Sequence, residues 1–206
     1  MPTRRTVIAL AAAGLIPRAV RAEVGQAELD GAAALISRLA QQAFGVLRRQ
    51  DTSLEEREAV FRALLREGFD MDFIGRFVLG KYWREMSPEQ RTEYLEVFSE
   101  YVLQTYSRRF GGYAGQTFAI SGARAAGQQD AMVQTRIDQP SGPPIFADWR
   151  VRVVPGGYRI VDVMVEGVSM AVTQRSEFGA VVQRDGVAGL IEALRARTQM
   201  LPARAS

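Results

Sequence analysis

The sequence predicts an α+β domain: N-terminal helices, a curved antiparallel sheet of four strands, and C-terminal helices that close over it. Three observations predict this. Apolar residues recur at helical spacing through the first half of the chain, alternate with period two between residues 116 and 165, and return to helical spacing beyond Gly167. Helices, then a strand meander, then helices is the order of an α+β fold rather than of alternating βαβ units. The 206 residues are 47% hydrophobic and 24% charged, enough for one domain with a sizeable core.

The chain divides into a leader at 1–22, a single domain at 23–199 and a short tail at 200–206. The leader has the order of an export signal. Arg4-Arg5 precede an uncharged apolar run from Val7 to Ile16, which is too short to span a bilayer. Pro17 breaks the run, and Val20-Arg21-Ala22 is a small-x-small cleavage site, so cleavage after Ala22 and a periplasmic location are expected. The segment from Thr3 to Ile8 partly matches a twin-arginine signal, which leaves the general secretory and twin-arginine routes both open.

Residues 27–49 carry Leu35, Ile36, Leu39, Ala43, Val46 and Leu47 on one helical stripe. Ser53-Leu54-Glu55-Glu56 is a capping box for a second helix, which Gly68 ends. Asp70 caps a third helix with Phe73, Ile74, Phe77 and Val78, and Gly80 stops it. Ser87-Pro88-Glu89-Gln90 starts a long helix with Tyr94, Phe98, Tyr101, Val102 and Tyr106 along one side; Gly111-Gly112 is its stop.

Four strands follow, at 116–121, 131–138, 145–154 and 158–165. In the last hairpin, a three-residue loop sets Val154 opposite Tyr158, Val151 opposite Val161, Trp149 opposite Val163 and Ala147 opposite Val165. Arg150 then faces Asp162 on the other side, an opposite-charge pair; a one-residue slip would mix the two faces. One sheet face becomes Val133, Ile137, Ala147, Trp149, Val151, Val161, Val163 and Val165, and the other is polar. Helices are expected near 176–184 and 187–197, separated by Gly186.

Composition excludes several kinds of chemistry. Without the four leader arginines the chain holds 22 basic and 23 acidic residues, so the overall charge of +3 gives no footprint for nucleic acid. There is no histidine and no cysteine, hence no imidazole base, no thiolate nucleophile, no disulfide and no His or Cys metal site. Ser169, within Glu166-Gly167-Val168-Ser169-Met170, partly matches a nucleophile elbow but lacks its final glycine and a histidine to activate it. Asp70 and Asp72 read as helix-start acids rather than metal ligands. No catalytic residue, cofactor or metal is expected.

Five blocks carry a resemblance: Phe73 with Val78-Leu79-Gly80-Lys81-Tyr82-Trp83-Arg84 and Ser87-Pro88-Glu89-Gln90-Arg91; Phe98, Tyr101, Thr105-Tyr106; Tyr113 with Gly115-Gln116; Asp162 through Met170; and Phe178 with Gly186, Gly189-Leu190-Ile191 and Leu194. From Phe69 to Thr198 the chain resembles the MlaC family, also called the toluene-tolerance family, of periplasmic phospholipid shuttles; a branch associated with hopanoid lipids shares these blocks. The resemblance implies an apolar cavity for acyl chains, phospholipid as ligand, and no catalysis. It also implies two membrane partners, the MCE-domain ring of an inner-membrane ABC lipid transporter and an outer-membrane lipoprotein–porin complex, in a system that maintains outer-membrane lipid asymmetry. A monomer is expected.

At about 0.8 kcal/mol per methylene, a diacyl lipid alone in water is disfavoured by on the order of 20 kcal/mol, so a carrier must replace nearly all of the membrane's apolar contact. The candidate walls are Phe73, Phe77, Tyr82, Phe98, Val102 and Tyr106 from the helices, with Val133, Ile137, Trp149, Val151, Val163, Val165, Val168 and Met170 from the sheet and the segment after it. Read without the resemblance, the same residues form a closed core, and the alternative function is that of a ligand-free periplasmic adaptor module for envelope assembly.

Overall fold

The computed structural model describes residues 24–49, 51–109 and 115–200. The leader, its cleavage site, the Gly111-Gly112 stop, Tyr113 and the tail from residue 201 lie outside them. Five helices precede the sheet: α1 (Gln26–Leu47), α2 (Leu54–Gly68), α3 (Met71–Leu79), α4 (Tyr82–Glu85) and α5 (Pro88–Arg109). The sheet holds β1 (Thr117–Ala125), β2 (Asp130–Asp138), β3 (Ile145–Val154), β4 (Gly157–Val165) and β5 (Val168–Ser169), and α6 (Met170–Met200) follows. The strands pair antiparallel in chain order and do not close into a barrel.

The helix starts arise from local chemistry. Ser53 Oγ accepts from the Glu56 N–H while Glu56 Oε2 accepts from the Ser53 N–H, a reciprocal box. Ser87 and Gln90 repeat the pattern for α5. The Asp70 carboxylate accepts from the Phe73 N–H at 2.9 Å, and the Asp70 N–H donates to the Ile160 carbonyl at 2.9 Å, which ties the α2–α3 junction to β4. Gly186 lies inside α6 at φ 72°, ψ 178°, so α6 is two arms, 170–185 and 187–200.

The sheet departs from expectation in three places. A fifth strand of two residues extends it, because Glu166 (φ 49°) and Gly167 (φ 78°) make a tight hairpin turn that pairs Val165 with Val168. The first arm of α6 therefore starts at Met170, six residues before the expected start. The β3–β4 loop has two residues, with Val154 opposite Gly157 rather than Tyr158. A bulge after Arg150 absorbs the difference, so Val151 pairs with Ile160 instead of Val161, while Ala147–Val165, Trp149–Val163 and Arg150–Asp162 stand opposite each other as expected.

The core falls into two clusters. In the first, Ala32, Leu35 and Ile36 of α1 lie on Ala131, Val133, Val151 and Ile160 of the sheet. In the second, Val78, Leu79, Met86, Tyr94, Phe98, Tyr101, Phe178, Val182, Leu190, Ile191 and Leu194 pack the helices on one another. The aromatic stripe of α5 thus packs on α3 and α6, not on the apolar sheet face, which α1 covers; α3 and α6 meet the sheet along β4. Gly75 lets α5 approach α3 closely: a Cβ there would stand 2.8 Å from Leu95 Cδ2 and 3.1 Å from Phe98 Cδ1.

Candidate functional site

The registers arrange the apolar sheet face in rows. Ala131, Val151 and Ile160 form one; Val133, Trp149 and Val163 the next; Ile120, Thr135, Ala147 and Val165 a third; Phe118, Ile137 and Ile145 a fourth. Val133, Val151 and Ile160, in the first two rows, are fully buried and pack with α1. Phe118, Ile120, Ile137, Ile145 and Val165, in the last two, stay half-buried. Two polar side chains in this face satisfy each other: Trp149 Nε1–H donates to Thr135 Oγ1 at 3.0 Å, and the Thr135 hydroxyl donates to the Ala147 carbonyl at 2.7 Å.

The second half of α1 overhangs the β1 edge and leaves a groove of about 490 Å³. Ser37, Ala40, Gln41, Phe44, Gly45, Arg48, Phe118 and Ile120 line it. Phe44 meets Phe118 with ring centroids 6.1 Å apart. Another groove, of about 400 Å³, lies between the arms of α6 and is lined by Phe178, Val181, Leu190, Leu194 and their neighbours.

The expected wall residues divide between the clusters. Phe98 is buried in the helical one, stacked on Tyr94 at 5.6 Å and edge-on to Phe178 at 6.2 Å. Phe77, Tyr82 and Val102 pack around it, and Tyr106 is half-buried. Tyr94 donates its hydroxyl to the Gly75 carbonyl at 3.1 Å, and burial pushes the phenol well above its ordinary pKa. Val133, Val151, Trp149 and Val163 belong to the sheet cluster. Ile137, Val165 and Met170 are half-buried, whereas Val168 is 54% exposed on the edge strand, away from both clusters. The sequence reading missed Phe44, Phe118 and Ile120. The last two were visible as alternation in β1; Phe44 falls just off the α1 stripe.

Phe73 sits at the junction of the two halves, with the Arg152 guanidinium 4.1 Å from its ring centre. Arg152 and Arg150 both bind Asp130, which is 3% exposed: Arg150 Nε and Arg152 Nε each lie 2.7 Å from its oxygens. Burial alone would raise the Asp130 pKa, but the hydrogen bonds and charges of Arg152 and Arg150 outweigh it and hold the carboxyl below the ordinary aspartate value. Arg150 therefore pairs with Asp130, not with Asp162 as expected. Asp162 instead accepts from the Ser169 hydroxyl and from the Ala171 N–H, while Ser169 Oγ accepts from the Val172 N–H. This network caps the first arm of α6 and occupies the hydroxyl that an elbow nucleophile would need free. Among the described residues, no group of three or more Asp or Glu side chains is placed to hold a metal ion.

The fold is that of an α+β protein whose helices flank an open antiparallel sheet with one apolar face. The MlaC protein family model matches residues 37–196, and the chain belongs to that family. It is similar to the intermembrane phospholipid transport system binding protein MlaC of Haemophilus influenzae, with 23% identity over 165 residues, 76% of this chain and 77% of that protein. It is also similar to the toluene tolerance protein ttg2D of Pseudomonas putida, with 25% identity over 118 residues, 57% of this chain and 55% of that one. A solved structure of the phospholipid-binding protein from Ralstonia solanacearum, in complex with a phospholipid, superimposes with a TM-score of 0.73 at 23% identity, covering 82% of this chain and 98% of that one.

Proposed function

We propose that this protein is a periplasmic phospholipid carrier without catalytic activity, the soluble component of an ABC-type lipid transport system that maintains outer-membrane asymmetry. Family membership, over 160 consecutive residues, is the observation that carries this reading. Ile137, Ile145 and Val165, half-buried on the apolar sheet face and outside both core clusters, support it, since acyl chains need apolar surface not already consumed by core packing. The capped Ser169, together with the lack of histidine and cysteine, supports carriage rather than ester hydrolysis. The leader supports export with cleavage after Ala22. The ligand is a diacyl phospholipid, and the membrane partners are those of the family: the MCE-domain transporter ring and the outer-membrane lipoprotein–porin complex.

Transfer between vesicles tests the function. The purified protein should accelerate movement of a fluorescent phospholipid from donor to acceptor vesicles in proportion to its concentration, with the lipid chemically intact afterwards. No acceleration, or recovery of a cleaved lipid, would refute the proposal.

A further inference from the structure

Exposed apolar side chains and cations meet at one corner of the molecule. The large hydrophobic residues exposed among the described ones are Leu54, Phe146, Val168, Val172 and Met200. Leu54 starts α2 and Met200 ends α6, whereas the other three adjoin one another. Phe146 is tied to the β4–β5 turn: its N–H donates to the Glu166 carboxylate at 2.8 Å, and its carbonyl accepts from the Glu166 N–H at 3.0 Å. Val168 leaves that turn in β5, and Val172 stands in the first turn of α6, where Ser169 Oγ accepts from its N–H. Each is about half exposed and belongs to neither core cluster. The connection that leads into β3, residues 139–144, carries no charge.

Cations border this apolar ridge. Arg175, three residues beyond Val172 and its neighbour on the helix surface, lays its guanidinium 5.2 Å from the Phe77 ring centre and across Gly80, where a Cβ would stand 2.6 Å from Nη2. Lys81 comes next, with its ammonium 5.0 Å from the Tyr82 ring centre. Arg76 and Arg91 each lie 5.4 Å from the centre of the Trp83 ring, and Arg84 is exposed beside it in α4. Arg91 has a structural task, donating to the Trp83 and Arg84 carbonyls. Lys81, Arg84 and Arg175 make no ion pair among the described residues, and Arg76 has only Asp72, at 3.8 Å. The cations of this corner outnumber Asp72, Glu85 and Glu89, the carboxylates of the same segments. Stacking explains why cations and rings sit together, but it leaves the N–H edge of each guanidinium free for an anion. An acidic protein surface would match the cations alone. An anionic bilayer matches the cations, the flanking Trp and Tyr, and the exposed apolar ridge together.

We propose that this corner docks the protein directly onto the surface of an anionic phospholipid bilayer. Phe146, Val168 and Val172 enter the boundary between headgroups and acyl chains, while Lys81, Arg84 and Arg175 lie against the phosphates. Docking goes beyond carriage, which protein partners alone could serve, and does not depend on it.

The chain has two tryptophans, Trp83 in this corner and Trp149 in the sheet cluster, so Trp149→Phe leaves Trp83 as the sole reporter. In that variant of the full chain, vesicles of phosphatidylcholine and phosphatidylglycerol with brominated acyl chains should quench Trp83, and brominated phosphatidylcholine vesicles should not. Salt should weaken the effect by screening the cations. Pelleting the vesicles should restore the emission; quenching that persists undiminished in the vesicle-free supernatant belongs to carried lipid and overturns the docking assignment. Co-sedimentation with the phosphatidylglycerol vesicles is measured on the chain with both tryptophans. Lys81→Glu with Arg84→Glu, and Val168→Glu with Val172→Glu, should each lower it about tenfold, through lost attraction to the anionic surface and lost apolar insertion respectively. Arg159→Glu, an exposed cation at the opposite end of β4, should sediment as the parent does. If the parent stays in solution, or if both double variants sediment as Arg159→Glu does, the docking assignment is wrong. Lipid recovered per protein is read separately, so the carrier reading stands or falls on its own.

Discussion

Asp130→Asn should loosen the junction between the sheet and the helical half. The carboxylate is 3% exposed and accepts 2.7 Å hydrogen bonds from Arg150 and Arg152, and Arg152 in turn covers Phe73 of α3. Removing one partner of a fully buried ion pair costs about 3–5 kcal/mol. Here the Arg150 and Arg152 side chains keep 46% and 23% of their exposure, so water can partly recover them. Discounted for that recovery, the loss is about 2–3 kcal/mol. A chain of this size shifts by about 2–4 °C per kcal/mol, which predicts a melting temperature lower by roughly 4–12 °C at pH 7. The direction with pH follows from linkage. The folded-state pKa lies below the unfolded value of about 3.9, so the stabilisation is complete above that value and disappears as pH falls through the folded pKa. Circular dichroism melts of parent and variant should therefore converge in acid. A variant that melts with the parent at pH 7, or whose deficit widens as pH falls, would refute the reasoning.

Further outcomes follow from the same contacts. Ser169→Ala removes the cap of α6 and should cost about 1 kcal/mol in a denaturant melt while leaving lipid transfer at the parent rate; loss of transfer at unchanged stability would give the hydroxyl a functional role. Phe98→Ala, at the centre of the helical cluster, should destabilise by about 3–5 kcal/mol, measured by urea unfolding. Val163→Glu, half-buried beside Trp149 in the sheet cluster, should reduce bound lipid, whereas Val168→Glu, on the exposed edge strand, should not; mass spectrometry of lipid per protein compares them.

What the sequence disclosed was mostly local. The boxes at Ser53 and Ser87 and the Asp70 cap were legible because each depends on residues within four positions. The open end of the β3–β4 hairpin was legible because alternation allows only one register that keeps Trp149 and Val163 together. Its closed end was not, because alternation cannot distinguish a three-residue loop from a two-residue turn plus a bulge. The partner of Arg150 was hidden for a related reason. Asp130 reaches it across the β2–β3 pairing, and the six-residue connection at 139–144 does not set a register as a tight turn does. The site was half legible. Val133, Trp149, Val151 and Val163 were identified as one face, but nothing in the alternation says that α1, not α5, covers it. The groove depends on the overhang of α1 beyond the β1 edge, a tertiary offset that helical periodicity leaves undefined.

The central claim is that this protein carries phospholipid, and the most direct measurement is the lipid content of the protein purified from its native compartment. Organic extraction followed by mass spectrometry should recover intact diacyl phospholipid in stoichiometric amount. Protein that is folded and free of lipid, and stays so after incubation with phospholipid vesicles, would contradict the account.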